Sequence, residues 1–319
     1  MAKDIRFEDF TVSFPGPQGP SVVADHISVV FPSGKITGLI GESGSGKSVM
    51  GMSVLQLLPS SAKIQGHCYY GDEDLLNLPS EKMRRIRGQE IAIIPQNPAE
   101  AMNSLRKIGG QLTETPLAHR LTGKREAKKT STAALRKFGL ERADTIMGQY
   151  NFEMSGGMNQ RILTVMGLSC QPSWLIADEP TKGLDAIIRG QVMETLKQAA
   201  EESAGSMLVI THDLKLAQRL CDEICVLYRG HIVEHRITSK IFSNPLHPYT
   251  RGLLAAMPEN GMHPIPGMSD TKHVSDCCPF FRRCPQCRED CRKALPPLFE
   301  TADQGKVRCF FYAGSTKSQ

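Results

Sequence analysis

The sequence predicts an α/β fold, with an antiparallel β subdomain at its start, a helical subdomain in its middle and a small cysteine-rich extension at its end. Three observations predict it. Short apolar runs at 36–40, 91–94, 174–177 and 207–210 read as buried strands. From about residue 104 to 150 the texture becomes charged and helix-forming, with apolar residues at helical spacing. Six of the ten cysteines fall between positions 277 and 309.

The elements follow in order along the chain. Residues 5–31 alternate apolar and polar positions, through Ile5, Phe7, Phe10, Val12 and Phe14, then from Val22 to Phe31. A period of two suits half-buried antiparallel strands. The run 36–40 leads into a glycine-rich turn, and 49–58 reads as a helix stopped near Pro59. After the strand at 91–94 comes the helical insert, with Leu112, Leu117, Leu121, Ala133, Leu135, Phe138 and Leu140 at apolar positions. The strands at 174–177 and 207–210 flank a helix at about 186–203. Segments 224–228 and 231–233 form a hairpin around Arg229-Gly230. Beyond Phe242 the chain is rich in Pro, His and Gly, 258–276 resembles a linker, and the cysteine-rich tail follows. No internal repeat is visible, so one such unit per chain is expected.

Composition narrows the classes. With 319 residues and 40% hydrophobic content there is ample core for one large domain plus something smaller. The net charge of +5 arises from 38 basic and 33 acidic residues mixed through the chain, without the clustering of a nucleic-acid stripe. No run approaches the ~18 apolar residues of a membrane helix. The polar start, Met1 to Phe7, lacks a secretory apolar region, so a cytosolic chain is expected, reaching any membrane through a partner. Cys68, Cys170, Cys221 and Cys225 are isolated and read as small core residues.

Gly41-Glu42-Ser43-Gly44-Ser45-Gly46-Lys47-Ser48 fits G-x4-G-K-[ST], after a strand and at a helix start. Glycines 41, 44 and 46 let the backbone curl and turn its N–H groups inward. The helix adds its positive dipole end; Lys47 can reach terminal phosphates and Ser48 can hold Mg²⁺. Asp178 and Glu179 stand at the end of the apolar strand 174–177. Carboxylates at strand ends of open α/β sheets sit at the ligand crevice. Asp178 suits the Mg²⁺ shell and Glu179 suits polarising an attacking water.

A third pattern, Met154-Ser155-Gly156-Gly157-Met158-Asn159-Gln160-Arg161, ends 17 residues before Asp178. Ser155 is a natural N-cap, and Gly156 and Gly157 leave backbone N–H groups bare at a helix start. Together these patterns resemble a P-loop NTPase of the ABC ATPase family, whose signature has S-G-G at its centre. The resemblance implies ATP as ligand and a head-to-tail pair of ATPase subunits, each signature covering the partner's γ-phosphate. It implies that Gln96, in Pro95-Gln96-Asn97-Pro98, meets Mg²⁺ and the water, and that His212 meets the γ-phosphate. Asp185 matches the end of the D-loop. Phe14 stands where the family stacks a ring on adenine, though it equally suits a strand core.

The resemblance spans nearly all of residues 5–319. It implies an ATPase domain over 1–250, with a helical subdomain at about 97–165, and a C-terminal extension over 251–319. Pro95 to Pro98, Ile108 to Leu112, the S-G-G-M signature, His247-Pro248-Tyr249-Thr250 and the tail look like the dipeptide, oligopeptide and nickel importer ATPases. That branch implies two membrane permease subunits, an extracytoplasmic solute-binding protein and a peripheral place on the cytoplasmic face of the inner membrane, with no nucleic-acid partner. Two departures stand out. Asn103-Ser104 replaces the usual Asn-Pro in the loop expected to meet the permease. Lys182-Gly183 puts a charge in the D-loop, which points to a non-identical second ATPase subunit.

Cys278, Cys284, Cys291 and Cys309, separated by 5, 6 and 17 residues, match the cysteines that this branch is thought to use for a 4Fe–4S cluster. Four thiolates suit an iron–sulfur cluster or tetrahedral zinc, and an unmetallated or disulfide-bonded tail stays open. Cys277 and Cys287 are spare candidates.

Overall fold

The computed structural model describes residues 3–17, 19–201, 205–267 and 276–313, which fall into two compact units. The first holds residues 32–36 and 77–210, and the second holds 4–31, 37–76 and the chain from 211 onward.

In the second unit, β1 (Ile5–Phe14) pairs antiparallel with β2 (Ser21–Phe31) and β4 (Lys63–Tyr70), and a short β5 (Glu73–Asp74) follows β4 at the sheet edge. The alternation seen in the sequence is real: Ile5, Phe7, Phe10 and Val12 are fully buried, and Phe7 packs edge-on against Phe10 and Phe31. Beside it, β3 (Ile36–Ile40) runs parallel to β9 (Glu223–Tyr228). The hairpin from β9 to β10 (His231–Ile237) turns on Arg229 and Gly230, whose φ values of 48° and 78° are those a two-residue strand-matching turn needs.

Helix α1 (Lys47–Val54) is shorter than the sequence predicts. It stops before Pro59 because Gln56 takes φ 50°, with Leu57 N–H closing back on Met52 O and Gln56 N–H on Ser53 O. That left-handed closure satisfies the last carbonyls, so the proline is not the stop signal. The rest of this unit's helices are α10 (Leu214–Leu220), α11 (Thr238–Ser243), α12 (Pro248–Ala255) and α13 (Asp290–Lys293).

The tail is no loose appendage. β12 (Lys306–Val307) pairs with β10 and with β11 (Phe299–Glu300), and Phe280 is buried against Tyr228 and Tyr249. Aromatic pairs at such spacings add about 1 kcal/mol each beyond their buried area. Residues 268–275, the later part of the expected linker, lie outside the described residues.

In the first unit, β6 (Ile91–Ile94), β7 (Trp174–Asp178) and β8 (Ser206–Thr211) run parallel, β7 in the middle. Residues 174–177 and 207–210 are fully buried, which explains runs without alternation. The other helices are α2 (Ser80–Ile86), α3 (Pro98–Ala101), α4 (Ile108–Leu112), α5 (Glu114–Ala118), α6 (Lys124–Lys137), α7 (Ala143–Ile146), α8 (Gly156–Gly167) and α9 (Ala186–Ala199).

Leu112, Leu135, Phe138 and Leu140 of the insert are buried as expected, but Leu121 and Ala133 are exposed. Leu121 sits in the turn before α6. On α6 the buried residues are Ala127, Ser131, Thr132 and Leu135, and Ala133, two residues from both Ser131 and Leu135, turns away from them. Helix α9 is α-helical over Ala186–Ala199 and continues as a wider π turn at 200–201, and 202–204 are outside the described residues. Cys68, Cys221 and Cys225 are core residues, whereas Cys170 is only half-buried.

Candidate functional site

The glycine loop joins β3 to α1. Gly46 is the N-cap at φ 103°, and a Cβ there would meet Val23 O at 2.3 Å. At Gly41 a Cβ would meet Leu227 O at 2.1 Å. Both positions therefore admit only glycine, because the obstacle is backbone that no rotamer change relieves. Gly230 N–H donates to Ser45 O at 3.0 Å, fastening the loop to the β9–β10 turn. Lys47 is 5% exposed, and its Nζ donates to Gly41 O at 2.8 Å and Glu42 O at 2.9 Å. The ammonium thus lies folded over the loop's own carbonyls, inside the cradle. Ser45 is buried there too, and Ser43 and Gly44 are exposed. Ser48 follows in the first turn of α1.

Two residues outside the motif hold this loop. Glu42 N–H donates to the Tyr249 hydroxyl at 2.8 Å, and Arg283 Nη1 donates to both Glu42 carboxylate oxygens at 3.0 Å. Tyr249 belongs to the His247-Pro-Tyr-Thr block, which the sequence offered only as a mark of resemblance. His247 caps α12 by accepting from Tyr249 N–H at 3.0 Å. Its burial pushes its pKa down to about 3, so the ring stays neutral and keeps that acceptor. Arg283 lies in the tail between Cys278 and Cys284, which the sequence likewise offered only as a mark of resemblance. Phe14 ends β1 half-buried, short of full core burial.

The first unit carries the acidic pair. Asp178 ends β7 and is 7% exposed. Glu179 follows at φ 48°, its N–H donating to Ile210 O at 2.7 Å. A left-handed conformation at a non-glycine residue costs roughly 1–2 kcal/mol, and it sharply re-aims the side chain after the strand. Gln96 lies two residues past β6, half-buried. Since Ile94 pairs with Ala177 in parallel register, Gln96 and the acidic pair emerge at the same end of the sheet.

Ser155 caps α8, its hydroxyl accepting from Met158 N–H at 3.3 Å. Ser155 and Gly156 are exposed; Gly157 is buried, and a Cβ there would press on Ile188 at 3.1 Å. Asn159 donates to Asn151 O at 2.9 Å and pins the helix start. The result is a helix tip whose leading residues, Ser155 and Gly156, are exposed. Asp185 caps α9 by accepting from Ile188 N–H at 2.9 Å, a structural role of its own. His212 follows β8 in the chain and is exposed.

The four tail cysteines lie within electrostatic reach of one another. Burial pushes the Cys278 thiol up to about 12, and charge on Cys291, Cys284 and Cys309 acts the same way. Burial likewise pushes Cys284 up to about 11, with Cys309, Cys291 and Cys287 adding to it. Cys278 N–H donates to Cys291 O at 2.9 Å. Among the described residues, however, no three His, Cys, Asp or Glu side chains gather closely enough to hold a single metal ion.

A glycine loop at a strand–helix junction, a lysine folded into it and a carboxylate pair ending a buried parallel strand define a P-loop nucleotide-hydrolysing protein. Residues 24–182 match the ABC transporter family model, and residues 233–291 match the oligopeptide/dipeptide transporter C-terminal region. The probable D,D-dipeptide transport ATP-binding protein DdpD of Escherichia coli K12 is 37% identical over 313 residues, covering 96% of this chain and 95% of that protein. The oligopeptide transport ATP-binding protein AppD of Bacillus subtilis 168 is 36% identical, covering 92% of each. In structure, the chain resembles the dimeric ABC transporter cassette MJ0796 with a TM-score of 0.65 at 22% identity, over 73% of this chain and 98% of that one. The chain belongs to the ABC transporter ATP-binding proteins of the dipeptide/oligopeptide kind, and it is an ATPase. No helix of the described residues is long and apolar enough to cross a membrane.

Proposed function

We propose that this chain powers a peptide importer, hydrolysing ATP between two ATPase subunits. The observation that carries the reading is the exposed Ser155–Gly156 tip of α8, a second helix start suited to an anion in a chain that already has a glycine loop at a strand–helix junction. In this reading residues 41–48 cradle the triphosphate, Lys47 turns from the loop carbonyls to the phosphates, and Phe14 stacks on adenine. Ser48, Asp178 and Gln96 would hold Mg²⁺, which when bound offsets phosphate charge. Glu179 accepts the proton of the attacking water, and His212 donates toward the γ-phosphate. Asp185 keeps the D-loop in place through its cap. Ser155, Gly156 and Gly157 cover the γ-phosphate in the partner subunit.

The partner is a non-identical ATPase subunit, because exposed Lys182 would face its own copy across a symmetric seam. Exposed Leu105, beside Asn103-Ser104, suits a permease. The full assembly has two permease subunits and a solute-binding protein, with this chain peripheral on the cytoplasmic face of the inner membrane. Peptides are favoured over nickel because the similar proteins carry peptide-transport names. Proteoliposomes holding the permeases, both ATPases and the binding protein should take up peptide only with ATP and only with this chain. Uptake that persists without the chain, or of nickel alone, would exclude the reading.

Cys278, Cys284, Cys291 and Cys309 hold a 4Fe–4S cluster in this proposal, with a structural role. Protein purified without air should be brown and carry roughly four iron and four sulfide per chain. One zinc per chain with no sulfide would refute it.

A further inference from the structure

We propose that Arg283 is a positioning residue for nucleotide binding: it neutralises and anchors Glu42 of the phosphate loop, so that the cysteine-rich extension sets the loop's affinity for ATP. The inference rests on residues 41–48 being the phosphate cradle.

Glu42 is an awkward residue for such a loop. It puts a carboxylate on a loop meant for a polyanion, where like charge weakens binding. The structure deals with it from outside the motif. Arg283 Nη1 reaches both carboxylate oxygens at 3.0 Å, and its side chain is 10% exposed. The same nitrogen lies 3.3 Å from the Tyr228 hydroxyl. Tyr249 takes the Glu42 N–H, and Lys47 takes the Glu42 carbonyl. Every polar group of Glu42 is thereby engaged, two of them by residues far along the chain.

The anchor is rigid because its base is aromatic. Tyr228, Tyr249 and Phe280 pack with centroids 4.4 to 5.5 Å apart, and the Arg283 guanidinium lies 6.0 Å from both the Tyr228 and Phe280 rings. Arg283 also donates from Nε to Pro266 O at 3.2 Å. Phe280 and Arg283 sit between Cys278 and Cys284, so the segment that carries the cysteines also carries the charge that cancels Glu42. Losing Arg283 would leave a bare carboxylate in the loop while sparing Glu179 and His212. The effect should fall on binding and leave the chemical step largely alone.

The test titrates a fluorescent ATP analogue with Mg²⁺ and measures steady-state ATPase on the full chain, with its partner ATPase present for turnover. R283Q should raise Kd and KM roughly tenfold while kcat stays within about threefold. E42Q/R283Q should recover most of that affinity, because the unpaired charge is gone. R283K should also recover most of it, since one nitrogen makes both bonds and a lysine can replace it. A double variant as weak as R283Q would show that the extension's fold matters and the Glu42 charge does not, overturning the proposal. Unchanged affinity in R283Q would overturn it too. Should R283Q not fold, R283K decides: a tenfold loss there refutes the charge argument. K47A separates the two levels. If it binds ATP like the native chain, the phosphate-loop reading fails; if it alone loses binding, only the Arg283 proposal fails.

Discussion

Glu179→Gln is expected to bind ATP as the native chain does and to hydrolyse it at least about 100-fold more slowly, the loss typical of a missing general base. The substitution keeps size and one hydrogen-bonding oxygen, so the φ 48° backbone and its bond to Ile210 O should survive. What vanishes is the negative charge that draws a proton from water. With hydrolysis blocked and binding intact, an ATP-loaded pair of subunits should accumulate, visible as a larger species by size-exclusion chromatography with ATP and absent with ADP. Native turnover in this variant would remove Glu179 from the reaction.

Gly46→Ala should abolish measurable ATP binding and lower stability by roughly 3 kcal/mol, combining left-handed strain with a backbone clash. The new Cβ would meet Val23 O at 2.3 Å, and Val23 lies in β2, which cannot yield without disturbing the sheet. The start of α1 must shift instead, and Lys47 shifts with it. Gly44→Ala is the internal comparison. Gly44 has φ 79° but nothing within 4 Å of a Cβ, so only the conformational cost of about 1 kcal/mol applies. Thermal unfolding and nucleotide titration of the pair would show a large difference. Equal effects would mean that packing against Val23 is irrelevant to the loop.

Local chemistry was readable from residue type and spacing. The phosphate loop could be read because G-x4-G-K-[ST] is itself a backbone geometry, legible wherever a strand precedes and a helix follows. The buried strands at 174–177 and 207–210 were legible because strands covered on both faces lose polar alternation. The Ser155 cap and the Arg229-Gly230 turn were legible because cap and turn chemistry is local. The failures were of another kind. Helix α1 ends at Val54, closed by a left-handed Gln56 two residues further on, which residue type alone does not signal. Ala133 fits an apolar helical spacing in the sequence, yet the packing around α6 leaves it exposed.

Tyr249 and Arg283 show the deeper limit. Each lies more than 200 residues from Glu42, and nothing in their own neighbourhoods names that carboxylate as their partner. By itself the sequence determined the class of protein, the order of its elements and the groups that can meet a phosphate, since those follow from short-range sterics and hydrogen-bonding capacity. Only the tertiary structure decided that a tyrosine and an arginine from the end of the chain hold the loop near its beginning. Which distant charges meet depends on how sheets and aromatic side chains pack, and packing energy is summed over the whole core rather than written at any one position.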